Sequence, residues 1–194
     1  MLRLLVEAKG RVNATNHAHA TPLFLAAQEG WPGAVDILVN QLGADMHIPT
    51  TAGFYPLHIG AQNGYPQSVR VLTEASCDPN IMGGPDLQKM SPLFMAARSG
   101  HADVAKELIQ MGATPTQGFH MLGPGGVPLV RFTPLMMAKE VRHAAVVKVL
   151  EDCGCRAVKG EPRTLNKAVE QFQTKLDEVR LIAYPCLVTL GPES

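Results

Sequence analysis

No run of apolar residues in this chain of 194 approaches the roughly 18 to 20 that would cross a bilayer. The opening Met1-Leu2-Arg3-Leu4-Leu5-Val6-Glu7 is charged too early for a secretory signal. No membrane insertion is therefore expected, and the address is read as intracellular, cytoplasmic with the nucleus open to it. Neither sign of charge is in excess, 17 basic residues standing against 17 acidic. Nucleic-acid and anionic-membrane partners need a basic surplus gathered on one face, so that class is set aside. Cys77, Cys153, Cys155 and Cys186 are too few and too scattered for a disulfide framework, and no C-x-x-C occurs.

Catalytic signatures are also missing. There is no glycine-rich phosphate loop and no nucleophile elbow, and Gly123-Pro124-Gly125-Gly126 follows no strand of the kind that feeds a phosphate cradle. His17-x-His19 has no carboxylate or cysteine at ligand spacing, whereas zinc needs three or four converging ligands. No catalytic residue, metal or cofactor is expected. What the chain does have is 46% hydrophobic composition over a length sufficient for one buried domain or a short solenoid.

The best-formed stretch runs from Ser91 to Ala113. Ser91 can cap a helix that begins with Pro92, where a missing N–H costs nothing, and Gly100 suits the left-handed residue past its end. Ala102 opens a second helix that Gly112 closes. Leu93, Ala96 and Ala97 share one face of the first helix, and Val104, Ala105, Leu108 and Ile109 form the stripe of the second. Neither stripe can be buried within some twenty residues, so the unit needs copies of itself on both sides. Those copies are present. Thr21-Pro22-Leu23, Tyr55-Pro56-Leu57, Ser91-Pro92-Leu93 and Thr133-Pro134-Leu135 are spaced by 34, 36 and 42 positions.

A period near 33 with such starts resembles the ankyrin repeat, and Pro56-Leu57-His58 keeps the histidine of its T-P-L-H-x-A pattern, where the other units have Phe24, Phe94 and Met136. The resemblance implies an all-α ankyrin-repeat solenoid over residues 1–158: a half repeat at 1–15, then repeats at about 16–49, 50–85, 86–127 and 128–158. The half repeat has only a second helix. It is expected to mark a piece of a longer array, the rival reading being a makeshift cap. Residues 159–194 are expected to supply an amphipathic helix from Leu165 to about Ala183 that caps the fourth unit, the alternative being a helix that pairs with another chain; the tail from Tyr184 should be irregular.

In the first full unit the helices should run from Pro22 to about Glu29 and from Pro32 to about Leu42. Tyr55 and Ser76 replace a cap and a closing glycine, which should leave the second unit weak. Arg142 and Lys139 replace glycine and alanine in the fourth, as in an end repeat half open to water. Cys77 and Cys155 fall in the small buried slot of Ala113. His58 is expected to bond within its own turn, as the family's structural histidine does, and His101 and His143 to be turn residues between helices.

The resemblance also implies a non-catalytic module that binds a protein or peptide through its concave face and loop tips. Carried over by position, the tips include His17 and Ala18, Thr51 and Phe54, Leu87, Gln88 and Met90, and Leu129, Val130 and Phe132; the first helices add Gln28 and Glu29, Gln62 and Asn63, and Arg98. Two insertions lengthen the period. Ile81–Asp86 adds three residues, and Gly118–Phe132 adds nine. The second reads as an elongated hairpin with Phe119 and Met121 on one arm, Pro128 confining the other arm to an edge strand. The chain is expected to be monomeric or part of a longer polypeptide. Two other readings stand beside the binding module: a regulatory domain of an enzyme whose catalytic part lies elsewhere, and a small-molecule or enzymatic role that a deep polar pocket would support.

Overall fold

The computed structural model describes residues 11–84, 89–122 and 128–155, with the hairpin positions 119–122 and 128–131 described as backbone. Four helix pairs follow one another: α1 (Pro22–Gln28) with α2 (Pro32–Asp36), α3 (Pro56–Asn63) with α4 (Pro66–Glu74), α5 (Pro92–Ser99) with α6 (Ala102–Gln110), and α7 (Pro134–Glu140) with α8 (Ala144–Asp152). Between the third and fourth pairs lies an antiparallel two-stranded ribbon, β1 (Phe119–Leu122) and β2 (Pro128–Phe132). The first helices pack on one another in sequence order, and the second helices do the same behind them.

Each first helix starts as the sequence dictates. Thr21, Ser91 and Thr133 accept the backbone N–H of Phe24, Phe94 and Met136 at 3.2, 3.2 and 3.3 Å, and Tyr55 makes no side-chain cap. Each also ends alike. Gly30, Gly64, Gly100 and Arg142 all have positive φ, at 67°, 82°, 84° and 63°. The amide that follows each reaches back to the helix: Trp31 to Ala26, Tyr65 to Gly60, His101 to Ala96 and His143 to Ala138. This six-to-one bond satisfies a carbonyl that the helix end would orphan. Arg142 therefore takes the strained geometry that its position demands, and so does Ser76, at φ 72°.

The buried stripe repeats from unit to unit. Leu23, Leu57, Leu93 and Leu135 come from the first helices; Leu38, Leu72, Leu108 and Leu150 come from the second, all at most 4% exposed. Ala44, Cys77, Ala113 and Cys155 close the seam, so both cysteines fill the alanine slot, and burial raises the Cys77 thiol to about 11. Lys139 lies outside the seam. Its ammonium meets Glu151 at 2.7 Å, in an ion pair between the two helices of the fourth unit.

One expectation needs correction. The second helix of the first full unit does not run as α-helix to Leu42; from Ile37 to Gln41 it is π-helical. Pro32 and Gly43 are eleven positions apart, whereas Pro66 and Ser76, Ala102 and Gly112, and Ala144 and Gly154 are ten apart. One wide turn absorbs the extra residue. The Ala44 amide then reaches Leu38 at 2.8 Å, as Cys77, Ala113 and Cys155 reach Leu72, Leu108 and Leu150.

His58 also departs from expectation. It bonds outside its own turn, Nε2 donating to the Met90 carbonyl 2.9 Å away in the approach to the next unit. The ring is fully buried beside Phe54 and Tyr55, and Gly83 lies so close that a Cβ there would come within 2.7 Å of it. Burial lowers its pKa to about 4, against smaller opposing contributions from the backbone of Met90 and Ile81. Its Nδ1 has no partner of hydrogen-bond geometry.

The expected helix at 165–183, the tail, Cys186 and residues 1–10 of the half repeat lie outside the described residues. So do Leu87, Gln88 and the hairpin tip 123–127.

Candidate partner-binding face

The loop tips are joined through their backbones. Thr51 donates to the Ala18 carbonyl from its amide at 3.0 Å and from its hydroxyl at 3.4 Å, and Gly84 donates to Gly53 at 2.9 Å. Within the second tip, Thr50 accepts the Phe54 amide on its hydroxyl and donates its own amide to the Phe54 carbonyl. The tip before α5 is pinned by paired Gly83 and Met90, which exchange bonds of 3.0 and 2.8 Å. His58 holds Met90 from below.

On this scaffold His17, Ala18 and Thr51 are exposed, and Phe54 is half-buried against the His58 ring. From the first helices, Glu29 and Asn63 are exposed and Gln28, Gln62 and Arg98 half-buried. Asn63 donates its side-chain amide to the Gln28 carbonyl at 2.9 Å, and the Arg98 carbonyl accepts His143 Nε2 at 3.1 Å. These bonds hold neighbouring first helices in register and line up their outward residues.

Two expected contact residues are withdrawn. Met90 is 7% exposed and Phe132 is 6% exposed, so both pack inward at the roots of their loops. Met90 lies under the His58 contact. Phe132 sits where β2 enters α7, with its carbonyl so close to Gly118 that any Cβ there would collide with it.

The long insertion does form a hairpin. Phe119 pairs with Phe132, His120 with Arg131, Met121 with Val130 and Leu122 with Pro128, which leaves Leu129 as the extra residue of a bulge. Bulges bend and twist a strand locally. The register puts Phe119, Met121, Val130 and Phe132 at positions of one ribbon face and His120 and Arg131 at positions of the other.

Behind the face, units two and three are clamped by Arg70, whose Nε and terminal nitrogen donate to the two oxygens of Glu107 at 2.8 and 2.7 Å. The guanidinium holds the Glu107 carboxyl below its ordinary range. Asn80 joins the same two units further along, accepting the Thr114 amide at 2.7 Å and donating to the Gly112 carbonyl at 3.1 Å. None of these ties was read from the sequence, since each partner lies one period away and the spacing varies. The described surface also has an open depression of about 400 Å³ on the fourth unit, lined by Lys139, Arg142, Ala144, Val147, Lys148, Glu151 and Asp152. Three cations and two carboxylates surround it. Among the described residues no helix is long and apolar enough to cross a membrane.

Stacked helix-turn-helix units with bonded tips define a repeat solenoid whose surface is built for contact rather than enclosure. A family model described as ankyrin repeats in three copies matches residues 1–83 and again 43–118. The chain belongs to the ankyrin-repeat family, whose repeats are generally protein-interaction modules. The human transient receptor potential cation channel subfamily A member 1 is 32% identical over 93 residues, 48% of this chain. The match spans only 8% of that much longer protein.

Proposed function

We propose that this chain is a non-catalytic interaction module that grips a protein or peptide partner along its concave face, with the Phe119–Phe132 ribbon as the main anchor. The observation that supports it best is the ribbon itself: a paired, bulged hairpin, rooted by buried Phe132 and by Gly118, inserted where the other units have a short turn. Lengthening a surface loop costs little, roughly 0.6 kcal/mol per doubling. Aromatic and aliphatic side chains at an interface centre contribute much of its affinity, often about 2 kcal/mol or more apiece. Phe119, Met121, Leu129 and Val130 are the ribbon's candidates; His17, Ala18, Gln28, Glu29, Thr51, Phe54, Gln62, Asn63 and Arg98 extend the contact along the array, with Leu87 and Gln88 from the intervening tip.

Replacing 119–127 by a short glycine-serine turn tests this against the plainer role of covering the fourth unit. The binding role expects an unchanged melting temperature with loss of captured partner. A large fall in melting temperature, with capture retained at low temperature, refutes it. A second reading is favoured by the small share of the human channel protein that the match spans: the array serves as a regulatory or targeting segment of a larger polypeptide whose activity, enzymatic or otherwise, lies elsewhere. The full-length open reading frame decides that reading.

A further inference from the structure

Four dipeptides in the sequence place a hydroxyl residue before proline: Thr21-Pro22, Ser91-Pro92, Thr114-Pro115 and Thr133-Pro134. Three of them start helices. Thr21, Ser91 and Thr133 cap α1, α5 and α7, each accepting an amide on its side-chain oxygen, and their prolines are the first helical residues. Thr21 and Ser91 are 1% exposed, and Thr133 is half-buried. Thr114-Pro115 differs on every count. It lies between α6 and β1, outside any helix or strand, and Thr114 is exposed, its hydroxyl making no hydrogen bond among the described residues.

Thr114 opens a turn that Gln117 closes by donating its amide to the Thr114 carbonyl at 3.1 Å. The two units before it turn at the same place, and in each the turn begins with an aspartate. Asp45 accepts the His47 amide at 2.8 Å and Asp78 accepts the Asn80 amide at 2.9 Å, each carboxylate reaching two residues on. In the third unit the corresponding amide is that of Thr116, which is exposed and has no acceptor among the described residues. The backbone around it is held as in the first unit. Asn80 accepts the Thr114 amide at 2.7 Å, as Asn13 accepts the Asp45 amide at 2.9 Å.

We infer that Thr114 is a phosphorylation site for a proline-directed protein kinase, and that its phosphate serves the third unit as the carboxylates of Asp45 and Asp78 serve the first and second. The transfer forms a bond from Thr114 Oγ to the γ-phosphorus of ATP and breaks the bond from that phosphorus to the oxygen that leaves with ADP. The hydroxyl proton passes to the base of the kinase. The new group brings a charge of about −1.5 to −2 and three acceptor oxygens, to a position whose counterparts already carry a negative charge and an acceptor. Presenting Thr114 to a kinase opens one turn bond, whereas presenting Thr21 or Ser91 would melt the first turn of a helix and expose a buried cap. The turn leads through Gly118 into β1, so the phosphate would stand at the root of the ribbon. The site does not rest on the ribbon's role in binding.

The test uses the folded full chain, a purified mitogen-activated protein kinase and ATP, with synthetic peptides spanning the four dipeptides as unfolded controls. Phosphopeptide mass spectrometry should find the phosphate at Thr114 of the folded chain, with Thr21, Ser91 and Thr133 left unmodified, and Thr114→Val should abolish it. A folded chain unmodified at Thr114, or modified as fast at the three capping residues, overturns the assignment. In nitrogen-15 spectra the Thr116 amide should exchange more slowly in the phosphorylated chain and shift as pH passes through about 6, where the phosphate takes its second charge. Thr114→Asp should slow the same amide without a kinase. A Thr116 amide that neither phosphate nor aspartate moves overturns the parallel with Asp45 and Asp78.

Discussion

Acidification should expose His58 before it touches any carboxylate. The ring is buried with Nδ1 unpartnered, and its pKa is lowered from 6.5 to about 4 by desolvation. Because the folded value lies below the unfolded one, the unfolded chain binds the extra proton first as pH falls. The stability held above pH 6.5 is therefore lost progressively between that value and about 4. A gap of this size corresponds to about 3 kcal/mol, each pKa unit being worth about 1.4. For a domain of this size that is roughly 6 to 12 °C in melting temperature, at 2 to 4 °C per kcal/mol. The assay is a series of melts from pH 7.5 to 4.5 on the chain and on His58→Gln, followed by far-ultraviolet circular dichroism and by Trp31 emission together. The variant should start lower at pH 7.5, having exchanged the Nε2 bond to Met90 for a poorer one, and then decline more shallowly. Parallel slopes for the two proteins would refute the assignment. So would a wild-type midpoint that stays flat until the carboxylate range.

The repeat was legible because its punctuation is chemical. Pro92 after Ser91 and Gly100 before His101 state where helices begin and end; the proline recurs in all three further units and the glycine in two of them. Arg142 was legible for the same reason, a wrong letter at a place whose torsion is fixed by the fold, and the structure gives it a φ of 63°. The π-helical turn carries no such letter, although its cause, one residue too many between Pro32 and Gly43, is visible in the sequence. A propensity-based reading has no reason to prefer a wide turn over a longer loop. Met90 and Phe132 were read as exposed because loop tips usually are. Their burial depends on what comes one period earlier or later: the His58 ring for one, the close approach of Gly118 for the other. His58 was read as local for the same reason. Its bond spans 32 positions to Met90, across a loop whose length no other unit shares.

Three further outcomes follow from the geometry. Glu107→Gln should remove acid sensitivity below the ordinary carboxylate range, because Arg70 holds the folded Glu107 pKa down and the stability this gives is lost as pH falls through that lowered value; a melting profile superimposable on the wild type below pH 4.5 would contradict it. Deleting exposed Asn40 restores ten positions between Pro32 and the closing glycine, so the π-helical stretch should become α-helical at a cost within about 1 kcal/mol of zero, and a larger fall in urea midpoint would show that the wide turn is needed. The paired substitutions Gly100→Ala and Arg142→Gly ask one backbone position opposite questions. At Gly100 a side chain meets a left-handed torsion, costing about 1 to 2 kcal/mol, and also the His143 ring, which must then give up its 3.1 Å bond to Arg98, worth about 1 kcal/mol more. At Arg142 no ring of a following unit stands among the described residues, so Arg142→Gly removes the torsional strain alone and should gain about 1 kcal/mol. Because a solenoid can fray from its end, hydrogen exchange of α8 amides is the decisive measurement: protection should fall in Gly100→Ala and rise in Arg142→Gly. If both variants lose protection, the six-to-one bond from His143 to Ala138 depends on the arginine side chain, and the strain argument fails.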